Sequence, residues 1–599
     1  MSLSKTSSLS AGHRAVIPGL AGLCFAASVL LCSSAVAEVR LAKIFMDHMV
    51  LQRQKPVRVW GWADKGADVA VEFAGQSKKV KADDNGRWLA PLDPMEASSE
   101  SRELVVKCQT DSVTLKDVLV GEVWVTPGQS NMESMLHYEE NGDIEAPAAR
   151  YPAIRFFRPV MRSGGWSPTD DFSPTPLDDF MDPTGKQNGG QLVPDNQWVV
   201  CSPQTVTQFS AVPYYFARVI HGNLNVPVGI INPSLGGTHA HTWMLQESVQ
   251  STPEAAPLVA QHDKSVKDWE SGQTYRRQLE NWEKEVAKAK AANRQPPSKP
   301  EKGTSPLRGR NYPGNMFNTT IMPIRQLAIR GILYYQGENE AYGGTHVYNR
   351  ALFPKLIPDF RATFGDEKLP FGIVSLHATW LFEGDVAGFE DFKSWVSVRD
   401  AHMIGHIRNP GTGLITNHDH GGGLHPTPKE AIGVRSARWA LNRVYGQGKT
   451  RYVAPVLDRM EKKDGRIIVH LKSDTKGEWS LTGLAPDADK EAGVGCPIRG
   501  FIIAGADRKF YTAHAKVVSR DSVEVWSDLV ADPEAVRYAW HVWPNANLIA
   551  NDHIPVHSFR TDDWAVDAES IGLLPRLLKE AQQRVKMLDE RLNPPKKGK

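Results

Sequence analysis

The sequence has little excess charge, few cysteines and, beyond its first residues, no long apolar run. Lys and Arg number 70 and Asp and Glu 68, so the formal net charge of the 599 residues is only +2. A charge this close to zero argues against nucleic acid or an anionic membrane as a partner. No apolar stretch after the N-terminus is long enough to span a bilayer, and no internal repeat is found.

The five cysteines give little scope for disulfide bonds. Cys24 and Cys32 lie in the apolar N-terminal segment, whereas Cys108, Cys201 and Cys496 are far apart in the rest of the chain. An odd number of thiols cannot all pair, so at most one bridge forms among these three, and we do not expect one.

The N-terminus has the pattern of a signal peptide. Basic residues precede an apolar run from Ala15 to Leu31, and Ala35-Val36-Ala37 provides a cleavage site with small residues. We therefore expect residues 1–37 to be removed and the mature chain to start at Glu38. The expected location is periplasmic or extracellular, without a membrane anchor.

A chain of this length is too long for a single hydrophobic core. Residues 38–118 contain short alternating apolar runs separated by turn residues, which predicts an N-terminal β-sandwich. Residues 119–447 alternate strand and helix patterns, which predicts a doubly wound, mainly parallel α/β domain. Residues 448–565 return to β patterning, and a helix with a basic tail is expected over 566–599.

Several elements of the α/β region can be predicted individually. Apolar runs indicate strands over 122–125, 226–231, 330–335 and 371–376, and helical spacing indicates helices over 217–224 and 430–444. Two stretches have the composition of insertions. Residues 160–196 are rich in Asp, Pro, Gly and Ser, and residues 252–310 contain a charged helix followed by a proline-rich linker.

A serine follows the first of these strands. The strand ends near Val125, Pro127 and Gly128 break it, and Ser130 stands where a helix can begin. Such a turn presents a hydroxyl at the carboxyl edge of a sheet, where α/β proteins bind ligands. The alternative is that Ser130 only caps the helix.

The segment Gly128-Gln129-Ser130-Asn131-Met132-Glu133 resembles the serine block of the sialate O-acetylesterase family, a branch of the SGNH-type hydrolases. Three further blocks resemble the family in the same order, and they are Ile231 to Thr238 with Trp243, Tyr334-Tyr335-Gln336-Gly337-Glu338, and Leu424-His425-Pro426. Four blocks in order over about three hundred residues are far more specific than one.

The resemblance implies a secreted esterase that hydrolyses O-acetyl groups on a sugar through an acyl-enzyme. It implies Ser130 as the nucleophile and His425 as the general base, with an O-acetylated carbohydrate as the partner and neither a cofactor nor a metal. Sialic acid in particular is not implied, because relatives of this fold act on other acetylated glycans.

The resemblance also indicates an oxyanion hole and substrate contacts. The backbone N–H groups of Ser130 and Gly237 are the expected donors, and Gln336 is the candidate for a third donor by its position in the third block. We expect Asn131, Thr238 and Trp243 to contact the substrate.

The acid that orients the base is the position where the sequence departs from the family. SGNH enzymes place an Asp three residues before the histidine, and sialate esterases often have one two residues before it. Here these positions are Gly422 and Gly423. We rank Asp419, which could fold back to His425 Nδ1, ahead of Glu338. A backbone carbonyl is the third alternative.

Two other classes stay open at this point. His239 and His241, or His418 and His420 with Asp419 between them, have the spacing of metal-ligand pairs and would indicate a metal-dependent hydrolase. A non-catalytic carbohydrate-binding protein is the other alternative, and loss of the acid would be its first sign.

Overall fold

A computed structural model describes residues 38–109, 111–159, 168–172, 196–303, 305–379, 393–449, 452, 454–473, 478–484, 497–550 and 553–565. The predicted signal peptide, the predicted C-terminal helix with its tail, and most of the predicted insertion over 160–196 lie outside these ranges. Cys496 lies outside them as well.

The N-terminal residues form short strands, as their alternating apolar positions predict. The strands are β1 (Arg40–Leu41), β2 (Val50–Gln52), β3 (Val57–Trp62), β4 (Asp68–Phe73), β5 (Gln76–Lys81), β6 (Arg87–Leu92), β7 (Ser98–Cys108) and β8 (Asp111–Val125). One sheet has the order β1-β3-β6, and β5, β4, β7 and β8 pair in a second. Inward-pointing residues of both, such as Val59 and Leu104, share one hydrophobic cluster.

Strand β8 joins the N-terminal strands to the central sheet. Its first part pairs antiparallel with β7, and its last residues, from Glu122 to Val125, pair in parallel with a strand of the α/β region. The domain boundary predicted between residues 118 and 119 therefore falls inside one continuous strand. The turn that contains Ser130 follows directly after this strand.

The α/β region is built on a large mixed sheet. Its further strands are β9 (Ile154–Phe157), β10 (Trp198–Val200), β11 (Val228–Ile231), β12 (Gly331–Tyr335), β13 (Phe371–Val374) and β15 (Thr412–Ile415), and β14 (Ala378–Thr379) pairs separately with β16 (Gly421–Gly422). The order is β10-β9-β11-β8-β12-β13-β15, parallel except for β10 at the edge. Parallel strands covered on both faces are continuously apolar, which explains why several could be predicted.

Helices cover both faces of the central sheet. They are α1 (Ser130–Glu133), α2 (Gly142–Ala148), α3 (Ala211–Leu224), α4 (Gln246–Gln250), α5 (Ala256–Glu270), α6 (Gln273–Ala291), α7 (Glu338–Gly343), α8 (His346–Phe364), α9 (Lys393–Arg408) and α10 (Lys429–Trp439). Helices α3 and α10 pack together over one face, and α8 and α9 over the other. The predicted charged helix within 252–310 is confirmed as α5 and α6.

The C-terminal residues form the predicted β region. Its strands are β17 (Val456–Lys463), β18 (Arg466–Lys472), β19 (Leu481–Gly483), β20 (Phe501–Ala504), β21 (Phe510–Thr512), β22 (His514–Ser519), β23 (Ser522–Trp526), β24 (Ala535–Tyr538), β25 (Leu548–Ala550) and β26 (Phe559–Arg560). Two four-stranded sheets have the orders β17-β18-β23-β22 and β21-β20-β24-β26, and β19 pairs with β25. The buried Arg399 of α9 connects this region to the central one, since its Nη1 donates to the His541 carbonyl at 2.8 Å.

Cys108 and Cys201 are both buried and unpaired. In the part of the chain that the structure describes, no helix is long and apolar enough to cross a membrane.

Candidate active site

Ser130 stands in a turn that is fixed against the carboxyl end of β12. Gly128 has φ of 155°, and a Cβ there would lie 2.1 Å from the Tyr335 carbonyl oxygen, so only glycine fits. The Gln129 N–H donates to the same carbonyl at 3.1 Å. Ser130 then begins α1, as the strand–break–hydroxyl pattern predicts.

His425 reaches Ser130 from a loop nearly three hundred residues away. Its Nε2 lies 2.8 Å from Ser130 Oγ, the distance of a hydrogen bond that can pass the hydroxyl proton to the ring. Partial loss of hydration, together with the charge of Lys429, lowers the pKa of His425 below its ordinary value. The ring is therefore neutral at pH 7 and able to accept a proton.

Asp419, the first-ranked acid, lies against Arg435. Arg435 Nη1 donates to Asp419 Oδ1 at 2.7 Å, and Nη2 donates to Oδ2. Burial alone would raise the pKa of Asp419, but the hydrogen bonds and charge of Arg435 outweigh it and hold the pKa below its ordinary value. Among the described residues, this carboxylate makes no hydrogen bond to His425, so the geometry expected for Asp419 is not found.

Glu338, the second-ranked acid, is fully buried at the start of α7. Its Oε1 accepts a hydrogen bond from Asn131 Nδ2 and lies 4.0 Å from His377 Nδ1. Burial raises its pKa to about 7. Like Asp419, it makes no hydrogen bond to His425 within the described ranges, and Nδ1 of that ring therefore has no carboxylate partner there.

The loop of His425 is held through its backbone instead. Asn131 Nδ2 donates to the Leu424 carbonyl at 3.0 Å, and His377 Nε2 donates to the Gly423 carbonyl at 3.1 Å. Asn131 and His377 are both buried. Asn131, the residue that follows the serine, thus holds Leu424, the residue that precedes the histidine.

The second block forms a tight turn beside Ser130. Gly237 has φ of 70°, and a Cβ on Gly236 would lie 3.3 Å from Ser130 Cβ. The Gly236 N–H donates to Glu133 Oε2 at 2.7 Å, which fixes the turn against α1. The structure thus brings Gly236, which precedes the expected donor Gly237, next to the serine.

Gln336, the third predicted oxyanion donor, is buried and already engaged. Its Nε2 donates to Gln129 Oε1 at 2.8 Å and to the Thr238 carbonyl at 2.5 Å. Asn339, which the sequence reasoning missed, lies closer to the turn, because its Nδ2 donates to the Gly237 carbonyl at 3.0 Å. An asparagine three positions after Gln336 was the available signal.

The predicted substrate-binding residues lie behind the site surface. Asn131, Thr238 and Trp243 are fully buried, and Trp243 Nε1 donates to Thr238 Oγ1 at 3.1 Å. Their contacts are with the protein itself. Arg310 lies nearer the surface, and its Nη1 donates to the Gly236 carbonyl at 2.7 Å.

Of the two histidine pairs considered as metal ligands, His239 and His241 have protein partners. His239 Nδ1 lies 3.0 Å from Thr345 Oγ1, and His241 Nε2 lies 2.9 Å from the Asn311 carbonyl. Throughout the described ranges, no group of three or more His, Cys, Asp or Glu side chains is arranged to hold a metal ion.

A serine hydroxyl after a parallel strand, with an imidazole nitrogen in contact, is the arrangement that serine hydrolases share. Comparison with known proteins places the chain among the carbohydrate acetylesterases. A crystal structure of such an enzyme from Xanthomonas citri is 30% identical with a TM-score of 0.68, and the match covers 88% of this chain and 100% of that one.

More particularly, the chain is similar over most of its length to sialate O-acetylesterases. The sialate O-acetylesterases of Mus musculus and Homo sapiens are 27% and 24% identical to it. These matches cover 84% and 88% of the chain and 90% and 93% of the two relatives. A scan against models of protein families finds no match.

Proposed function

We propose that the protein is an exported, serine-dependent carbohydrate O-acetylesterase of SGNH type, which hydrolyses acetyl esters on sugars. The 2.8 Å contact between Ser130 Oγ and His425 Nε2 carries this proposal. The relatives support the substrate class, since their names are sialate O-acetylesterase and carbohydrate acetylesterase.

In the first half of the reaction, Ser130 Oγ attacks the acetyl carbonyl carbon while His425 Nε2 takes the hydroxyl proton. The tetrahedral intermediate then collapses, and the imidazolium returns the proton to the leaving sugar oxygen. In the second half, His425 deprotonates a water that attacks the acetyl-enzyme, and acetic acid leaves with Ser130 reprotonated.

The negative charge on the tetrahedral oxygen needs hydrogen-bond donors in place before the reaction. The backbone N–H groups of Ser130 and Gly237 are the proposed donors. We assign the third position to the side-chain amide of Asn339 in place of Gln336, because both amide hydrogens of Gln336 have nearby acceptors in the protein.

The general base is proposed to work without a carboxylate on Nδ1. The described hydrogen bonds of Asp419 go to Arg435, so Asp419 acts by holding its loop to α10. Glu338 acts indirectly as a positioning residue, since it anchors Asn131, which in turn holds the Leu424 carbonyl.

Acetate release from a panel of O-acetylated sialosides, xylans and other glycans tests the function. The wild type should release acetate from at least one of them. Ser130→Ala and His425→Ala should each reduce kcat by several orders of magnitude with little change in thermal unfolding.

Labelling distinguishes the serine mechanism from a metal-dependent one. A serine-directed phosphonate should modify the wild type at Ser130, and activity should persist in chelator. Activity that chelator abolishes, without labelling of Ser130, would contradict the mechanism. Failure to release acetate from any glycan would contradict the substrate class.

A further inference from the structure

A cavity of about 240 Å³ lies against the sheet β1-β3-β6. Trp62 pairs directly with Arg87, and Trp60 with Leu89, so these four side chains share one face of the sheet. Trp60 and the intervening Trp88 both belong to the N-terminal core, and Gly61 and Trp88 also line the cavity. Trp62 is half-buried with the Arg40 guanidinium 3.8 Å over its ring, and Leu89 is 38% exposed, so this face presents apolar surface next to a cation at the cavity.

The opposite wall of the cavity comes from elsewhere in the chain. Asp170 lies between two arginines, accepting from Arg325 Nη2 at 2.6 Å and from Arg87 Nη2. Arg325 and Gln326 lead into β12 from its amino end, whereas the turn of Ser130 meets the carboxyl end of that strand. The cavity and Ser130 are thus on opposite edges of the central sheet.

The lining combines apolar rings with groups that suit hydroxyls. Gln326 lines the cavity, and its buried Oε1 has no hydrogen-bond partner among the described residues. The Asp170 carboxylate and the two guanidinium groups offer further acceptors and donors. The lining holds two carboxylates, of Asp83 and Asp170, and two guanidinium groups, so its formal charges cancel.

We propose that this cavity binds a neutral pyranose unit of the glycan on which the active site works. The choice of a saccharide as the ligand rests on the proposed function, whereas the description of the cavity does not depend on that function. A volume of 240 Å³ is roughly the space of eight waters in the liquid, enough for one sugar ring. An aromatic wall beside convergent polar groups is the usual composition of a small-ligand site. Cancelled charge favours a neutral sugar over an anionic one.

Affinity electrophoresis tests the site without any hydrolysis. The Ser130→Ala protein is run through native gels that contain soluble xylan, glucomannan or galactan. Retardation by at least one of these polysaccharides is expected, and Trp62→Ala in the same background should weaken the apparent affinity about tenfold. Trp62→Phe should restore part of it.

Two further variants separate a lost site from a misfolded protein. Leu89→Arg places a long side chain at the mouth of the cavity from an exposed position and should also weaken retardation. Trp282→Ala is the matched control, because this half-buried tryptophan lies in α6 and lines no part of the cavity. Its retardation should equal that of the parent.

Two results would overturn the proposal. One is the absence of retardation of Ser130→Ala in all three polysaccharides. The other is equal retardation of Ser130→Ala with and without Trp62→Ala and Leu89→Arg. The proposed function is tested separately by acetate release from the wild type, so either idea can fail while the other stands.

Discussion

Asn131→Ala tests whether the general base is positioned through the backbone of its loop. Asn131 is fully buried, and its Nδ2 donates both to Glu338 Oε1 and to the Leu424 carbonyl. The alanine variant keeps Ser130 and His425 but loses the hydrogen bond from residue 131 to the Leu424 carbonyl. We therefore expect a catalytic defect much smaller than that of losing the base.

The size of the defect follows from the two lost hydrogen bonds. A hydrogen bond to a neutral carbonyl contributes about 1 kcal/mol net. The hydrogen bond from Asn131 to the Leu424 carbonyl is of this kind, and its loss should affect the position of His425. Since about 1.4 kcal/mol is tenfold in rate, kcat should fall about five- to tenfold with KM little changed. Loss of the partner of buried Glu338 should lower the free energy of unfolding by about 2 kcal/mol.

The assay measures kcat and KM for an aryl acetate, together with urea unfolding. Asn409→Ala is the matched control, because buried Asn409 also donates two hydrogen bonds, to the Pro354 and Gly405 carbonyls. The Asn409→Ala variant should have a lower free energy of unfolding than the wild type but an unchanged kcat. If Asn131→Ala were as inactive as His425→Ala, or fully active, the reasoning would be refuted.

Three further measurements address the titrating groups. The acid limb of kcat/KM should have its midpoint below the ordinary histidine pKa of about 6.5, because lost hydration and Lys429 favour neutral His425; a higher midpoint would contradict this. Asp419→Asn should cost less than tenfold in kcat, because its partner is Arg435, and a loss of about four orders of magnitude would return Asp419 to the role of triad acid. The pKa of Glu338, raised to about 7 from 4.5, means that its ionisation destabilises the fold as pH rises between these values. Relative to Glu338→Gln, the wild type should therefore lose roughly 3 kcal/mol of unfolding free energy from pH 4.5 to 8, and parallel stability curves would show that Glu338 is not buried as described.

The central sheet was predictable because its strands are apolar throughout. The strands predicted over 330–335 and 371–376 are observed as β12 and β13. Strand β8 was harder to predict as one element, because its first residues alternate between buried and exposed whereas its last residues are all buried. The sequence therefore predicts a domain boundary where this change occurs. Helix α3 begins at Ala211, before its predicted start, because Pro213 falls in the first turn, where proline is tolerated.

The site was predictable where a local pattern marks it. The break after β8 indicated a presented serine, but no local feature places His425 beside it, and that expectation came from the matched blocks alone. The partner of Asp419 is Arg435, one of many charged residues on α10, and no sequence spacing distinguishes it as that partner. Burial of Thr238 and Trp243 depends on the whole fold, so their side chains appeared available for substrate when only the sequence was considered.

The glycines before His425 account for how its loop is held. Gly421, Gly422 and Gly423 have no side chain with which to orient the imidazole, but the Gly423 carbonyl accepts a hydrogen bond from a buried side chain. His377 Nε2 uses the Gly423 carbonyl, which requires the proton of this ring to be on Nε2. The neutral ring is expected, since burial lowers the pKa of His377 to about 3. A neutral, buried donor therefore holds the Gly423 carbonyl at pH 7. This contact does not involve the ring of His425, so it can stay in place while His425 gains and loses its proton during the cycle.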